Sequence, residues 1–335
     1  MKDQPAFPSS LAGKTGLTMR KYAPQMILLA LLILFSFLSP KFMTLYNMTI
    51  LVRQVSFAAI SAVGVMFVMI AGGIDLSIGS QIVFTNIVLS IMLAYGHVPL
   101  VLAIPMTLVM GTALGFFNGL LSIKLKIHPL IITLGTASIY KGLGYIIARA
   151  RNIMGFPDAF RVFGQGYLWK IPVPVVIMIV IALIGSFILT RTYFGRKVFA
   201  LGGNEEAARL AGVNINVMKV TLFAICGFAS GVTSVLLLSR VFAGQVSTGQ
   251  GIEFDCLTAA LLGGVSFKGG EGTVFGLLTG ILIIGVLNNA MQLASFPDFS
   301  QTVVKGAVLL IAVGFDVYQK TRKARETIAR VPAPG

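Results

Sequence analysis

Apolar runs of about twenty residues, separated by short polar or glycine-rich breaks, recur from Ala23 to Gln319. Within each run the apolar positions are continuous, as in a helix buried or lipid-facing on every side. Barrel strands would alternate over about 10 residues, so the pattern excludes a barrel. A helix of about 20 residues crosses the ~30 Å hydrocarbon core of a bilayer with its backbone satisfied internally. The pattern predicts ten spans, over residues 23–39, 50–71, 78–95, 98–122, 129–148, 171–190, 220–239, 254–266, 274–293 and 302–319. The eighth is too short to cross alone: either it starts earlier or it is a half-helix buried in protein. The expected fold is an all-α polytopic membrane protein of about ten transmembrane helices, with one broken or half-helix. The chain divides into a tail at 1–22, a transmembrane domain at 23–319 with a long polar loop at 191–219, and a tail at 320–335. Ala71-Gly72-Gly73-Ile74-Asp75 and Leu262-Gly263-Gly264-Val265-Ser266 each end an apolar run on a diglycine, which leaves an internal repeat open.

Composition agrees with the pattern. Only 11% of the 335 residues are charged and 56% are hydrophobic, where a soluble domain carries roughly 25% charged. The net charge of +15 does not imply nucleic acid, because the bases lie between the apolar runs. With the N-terminus inside, Lys124, Lys126, Arg191, Arg196, Lys197, Arg209, Lys219, Lys268 and the basic tails fall on the inner side. The outer side holds fewer bases, among them Arg149, Arg151, Arg161 and Lys170 in one loop rich in glycine and proline, which is expected to be ordered. This bias places both termini in the cytoplasm. Cys226 and Cys256 read as reduced core residues, and no metal-ligand spacing occurs. No Ser–His–Asp set, carboxylate pair or P-loop is present, so no catalytic residue and no ATPase site of the chain's own are expected.

Two motifs stand out. In Gly72-Gly73-Ile74-Asp75-Leu76-Ser77, glycines interrupt a span and an acid and a serine follow. This is either a broken helix lining a pathway (Gly72, Gly73, Asp75, Ser77) or a tight turn whose Asp75 or Ser77 caps the next helix. In the polar loop, Asn204 suits an N-cap, Glu205 and Glu206 suit a first helical turn, and Gly212 suits the position after a helix end. The segment Asn204, Glu205, Glu206, Ala207, Ala208, Arg209, Leu210, Ala211, Gly212 is therefore a doubly capped short helix, too poor in large apolar side chains for a lipid anchor and better suited to docking a cytoplasmic partner. Gly111 with Gly115, and Gly276 with Gly280, read as close helix packing. Asn86, Asn118, Asn288 and Asn289 are polar residues within spans and candidates for a polar path; Lys141 also lies inside a span.

The run Ala71 to Ser80, the run Gly195 to Asn214, the run Glu253 to Thr273, and Gly285-Val286-Leu287-Asn288-Asn289 with Gln301 to Gly306 resemble the ribose-type ABC transporter permeases. The resemblance spans nearly all of residues 24–319. It implies a bacterial inner-membrane subunit of an ATP-driven importer for a sugar-like solute, paired with a second permease copy or a sister permease. It implies a cytoplasmic ABC ATPase that hydrolyses ATP with Mg, and a periplasmic solute-binding protein. Asn204 to Gly212 would be the ATPase-coupling helix, with the loop Gly264 to Thr273 as its neighbour, so that Ala208→Glu or Arg209→Glu is expected to abolish transport while leaving insertion intact. The alternatives are an ion-coupled secondary transporter of a small polar solute and an ABC permease for branched-chain amino acids.

Overall fold

The computed structural model describes residues 22–328. The tail at 1–22 thus lies, apart from Tyr22, outside the described residues, as does the last part of the C-terminal tail. The helices are α1 (Ala23–Leu38), α2 (Leu45–Ile70), α3 (Ile78–Ala94), α4 (Leu100–Leu125), α5 (Pro129–Ala148), α6 (Arg161–Gln165), α7 (Val173–Arg191), α8 (Tyr193–Gly203), α9 (Glu205–Leu210), α10 (Ile215–Val241), α11 (Ile252–Leu262), α12 (Val274–Leu293) and α13 (Asp298–Ile328). A two-residue hairpin, β1 (Tyr167–Leu168) with β2 (Ile171–Pro172), precedes α7.

Every expected span falls on a helix, with ends shifted by a few residues except in α13, which continues nine residues past the expected 319 into the expected tail, but ten membrane crossings are not confirmed. Among the described residues six helices are long and apolar enough to cross: α2, α4, α5, α7, α10 and α12. The apolar stretches Ala23–Leu38, Ile78–Ala94 and Phe299–Gly314 are shorter, and α11 has 11 residues, about 16 Å. The reason for two of the short helices is local. After α2 the chain runs non-helically through residues 71–77 before α3 begins, and Gln81 already meets Ser230 in the middle of α10. The loop before α11 descends along α3: Gly244 lies against Ser90, and Gly249 against Ile82 and Gly79. So α3 and α11 both start within the bundle, with the Glu253 carboxylate against Gly79.

Helix α2 is the centre. From Val55 to Ile70 it is buried on nearly every face, with small residues such as Ala59, Ala62 and Gly64 that admit close neighbours. It packs against α10, α12, α7 and α11. Helix α4 crosses α10 at backbone contact: Gly111 meets Gly227 and Gly231, Gly115 meets Phe223 and Gly227, and Gly119 meets Val220. This descending order makes the pair antiparallel, and the glycines serve close packing as expected. Gly276 and Gly280 do the same for α12 against Ala259 of α11 and Gly263 just after it. Val101, Val109, Ile139, Ile146, Leu183 and Phe187 point outward from α4, α5 and α7, as lipid-facing positions do.

The loop at 149–172 is ordered, as expected. Ile153 bridges Gly244, Phe160 is fully buried, and Phe156 stacks edge-on against Phe160 and Phe242. The Ser239 hydroxyl donates to Phe160 O and accepts from Gly164 N. Arg161 lies 3.7 Å from the Phe242 ring centroid and pairs with Asp158.

Candidate coupling helix and polar path

The polar loop at 191–219 is more structured than its sequence suggested. Helix α8 fills its first half and was not expected; Thr192 Oγ1 caps it by accepting from Gly195 N at 3.1 Å. Its inward face, Val198 and Leu201, joins the main core. Helix α9 follows without a spacer beyond Asn204, whose Oδ1 accepts from Ala207 N at 3.0 Å. Its C-terminus closes with Gly212 N donating to Arg209 O and Val213 N to Ala208 O, both 3.0 Å, while Gly212 adopts φ +82°. That double bond with a left-handed glycine is a Schellman motif. Both caps therefore sit where the sequence placed them.

The faces of α9 differ sharply. Ala208 is buried against the core, whereas Leu210 is 82% exposed and Glu206, Ala207, Arg209, Ala211 and Gly212 also face outward. A charge at Ala208 would therefore meet the chain's own core. Glu205 is turned inward, accepting from Lys219 Nζ of α10 at 2.8 Å. Arg209 pairs with Glu205 and Glu206 at 3.4 Å each, on the surface.

Beneath α9 three chain segments meet backbone to backbone. Gly202, near the end of α8, abuts Ile70 O at the end of α2. Gly270 N donates to that same Ile70 O at 2.8 Å. A Cβ on Gly269 would lie 2.8 Å from Gly72 N and 3.0 Å from Gly202 O. Only glycines fit here, and Gly72, Gly269 and Gly270 all carry positive φ. The junction joins the ends of α8 and α2 to the loop before α12, the segment Gly264 to Thr273 expected as a neighbour.

From this junction the break at residues 71–77 leads into a buried polar cluster. Gly72 and Gly73 close α2 with bonds to Met69 O and Val68 O, and Gly264 and Val265 close α11 in the same way. Asp75, 1% exposed, accepts from Ser77 N at 2.8 Å and Ser77 Oγ at 2.6 Å. Gln81 Nε2 donates to Ser77 Oγ at 2.8 Å. Asn118 Nδ2 donates to Ser77 Oγ at 2.7 Å, and the Tyr140 hydroxyl donates to Asn118 Oδ1 at 2.9 Å. Ser230 Oγ donates to Gln81 Oε1 at 3.1 Å. One cluster thus ties the break to α3, α4, α5 and α10. Gln81, Tyr140 and Ser230 were not foreseen; the only signal for Gln81 was its place four residues after Ser77 on one helix face.

The four candidate asparagines do not line one path. Asn86 and Asn118 are fully buried on the α3–α4–α10 side, with Asn86 Nδ2 donating to Ser234 O at 3.4 Å. Asn289 exchanges amide hydrogen bonds with Asn47, at 2.8 and 2.9 Å, tying α12 to α2. Asn288 faces a separate cavity with Asp255 and Lys305. Lys141 does not sit alone in lipid: it shares a groove of about 330 Å³ with Ser80, Ser138, Gln250 and Glu253. No group of His, Cys, Asp and Glu able to hold a metal occurs among the described residues.

A helix bundle with broken helices, a buried polar cluster at the break and a capped helix projecting from one end has the architecture of a transport subunit. The family model described as "Branched-chain amino acid transport system / permease component" matches residues 47–313, and the chain belongs to that permease family. It is 38% identical to the ribose import permease protein RbsC of Haemophilus influenzae over 315 residues, 93% of this chain and 96% of that one. It is 39% identical to RbsC of Bacillus subtilis over 300 residues, 89% of this chain and 93% of the relative. It is 36% identical to the L-arabinose ABC transporter permease protein AraH of Azospirillum brasilense over 300 residues, 89% of this chain and 88% of that protein. No solved structure matches the chain.

Proposed function

We propose that this chain is the membrane-spanning permease subunit of an ATP-driven importer that carries a monosaccharide across the bacterial inner membrane, with both termini in the cytoplasm. The ribose and arabinose permeases among its relatives support the sugar over branched-chain amino acids, although the family description names the latter. Its partners are a cytoplasmic ABC ATPase, which binds and hydrolyses ATP with Mg, a periplasmic solute-binding protein, and a second permease copy or sister permease.

The observation that carries the reading is the seating of α9. Its outer face is free for a partner, while Glu205, Ala208 and the preceding Gly202 fix it to α10, the core and the ends of α2 and α11–α12. Closure of the ATPase pushes α9, and a helix of two turns held at both ends moves as a unit. The push passes through Gly202 and Gly270 to the end of α2 and to the loop after the half-helix α11. Residues 74–76 and 266–272 lack helical bonds to resist bending, so α3 and α11 change their tilt against α10 and α12. The passage then opens to one side and closes to the other.

The test is uptake of labelled ribose, arabinose and allose into vesicles holding the assembled transporter. ATP-dependent uptake that persists with a protonophore supports the proposal. Uptake by the permease alone, driven by a proton or sodium gradient, would refute it in favour of a secondary transporter.

A further inference from the structure

At the end of the bundle away from α9 lies a cavity of about 210 Å³, room for several waters at roughly 30 Å³ each. Its polar lining comes from four elements: Gln54 of α2, Asp255 of α11, Asn288 and Gln292 of α12, and Gln301 and Lys305 of α13. Polar side chains among membrane helices are costly unless they face protein or a wet cavity, and such sites are commonly functional. Asp255 Oδ2 accepts from Lys305 Nζ at 2.9 Å. A carboxylate has two oxygens and an ammonium three donors, so this single bond leaves acceptor and donor capacity over. Gln301 Nε2 is held by Phe296 O at 3.0 Å, which orients the amide and frees its oxygen. Asn288 is 9% exposed, and its Oδ1 has no hydrogen-bond partner. A buried, unpaired amide oxygen costs about 1–3 kcal/mol unless something donates to it. Gln54 lines the cavity and is exposed, although most of α2 is buried. Ile281 and Ile284 supply an apolar floor.

The chemistry discriminates among occupants. Asp255 is the only carboxylate lining the cavity and already has its cation, so a bare metal ion is disfavoured. An anion would meet Asp255 as well as Lys305. A neutral polyol fits: each hydroxyl both donates and accepts, and the amides and the ion pair offer both. The C–H face of the ring lies on the isoleucines.

We propose that this cavity is a monosaccharide subsite within the permease, where Gln54, Asn288 and Gln292 bind the hydroxyls of a solute released by the binding protein. The proposal rests on the sugar reading above. The complete transporter in ATP-loaded vesicles is assayed separately with labelled D-ribose, L-arabinose and D-allose, using Gln54→Leu, Asn288→Leu and Gln292→Leu. The expected result is a fall of fivefold or more in uptake of the preferred sugar, with a changed ranking of the three, because each sugar orients different hydroxyls toward the missing amide. Unaltered rates, or a fall by one common factor for all three sugars, would overturn the subsite. Failure of the unsubstituted complex to take up any of the three would overturn the sugar reading itself. A Gln292→Cys variant gives a reading independent of turnover, since Cys226 and Cys256 are buried. Labelling of Cys at position 292 by a membrane-impermeant maleimide should slow at least twofold with millimolar sugar. A rate indifferent to sugar counts against the subsite.

Discussion

Adding one methyl group at Gly202 should uncouple ATP hydrolysis from uptake, while the same methyl at the next residue should do nothing. A Cβ on Gly202 would land on Ile70 O and lie 2.6 Å from Gly270 N. The 2.8 Å bond between that oxygen and that nitrogen must then break or the segments must part. Leaving the two groups unpaired costs about 1–3 kcal/mol, and forcing atoms into a packed site costs about 1–3 kcal/mol more. At about 1.4 kcal/mol per factor of ten, the junction opens at least tenfold more often. Gly203→Ala is the internal control, because a Cβ there meets nothing within 4 Å. The assay is solute taken up per ATP hydrolysed by the reconstituted transporter. Gly202→Ala should lower that ratio tenfold or more with ATPase still bound, and Gly203→Ala should stay within twofold of the unsubstituted protein. Equal ratios for the two variants would refute the junction as the route of coupling.

Leu210→Glu should weaken co-purification of the ATPase by about ten- to a hundredfold, as expected for losing one exposed leucine from an interface, with no change in melting of the isolated permease. Asn204→Ala removes the cap on Ala207 N and should cost α9 about 1 kcal/mol, read as faster amide hydrogen exchange confined to residues 205–210. Gly115→Leu, which drives a side chain into the backbone of Phe223 and Gly227, should lower the melting temperature in detergent markedly, whereas Gly135→Leu should not, since nothing lies within 4 Å of a Cβ there. Asn118→Leu breaks the links to Ser77 and Tyr140 and should destabilise the bundle by about 0.6–1.7 kcal/mol per lost bond, measured by unfolding in mixed micelles.

Hydropathy was enough to find the long apolar helices, because lipid demands an unbroken apolar surface and leaves little freedom in how that is spelled. It was not enough to count crossings. Whether α3 and α11 start at a membrane surface or inside the bundle depends on where 71–77 and 242–251 travel, and those paths are set by partners distant in sequence, such as Ser90 against Gly244. The caps of α9 were legible because Asn204 and Gly212 act on backbone groups three or four residues away. The burial of Ala208 was not, since in a helix of two turns one alanine looks like another until the core beneath it is known. Helix α8 was hidden by Gly195, Gly202 and Gly203, which read as loop although two of them are required by close backbone contact. Asn86, Asn118, Asn288 and Asn289 were equal candidates in sequence, and only the fold sorted them into two clusters and a cavity.

The most direct measurement concerns the side and the neighbour of α9. A cysteine at Ala207, which is exposed, is to be probed in intact cells and in inverted vesicles with an impermeant maleimide, and then with a bifunctional cross-linker in the assembled complex. Labelling only in inverted vesicles, with cross-links to the ATPase that strengthen when ATP is bound, is the predicted result. Labelling from outside intact cells, or a cross-linked complex containing no ATPase, would contradict the account.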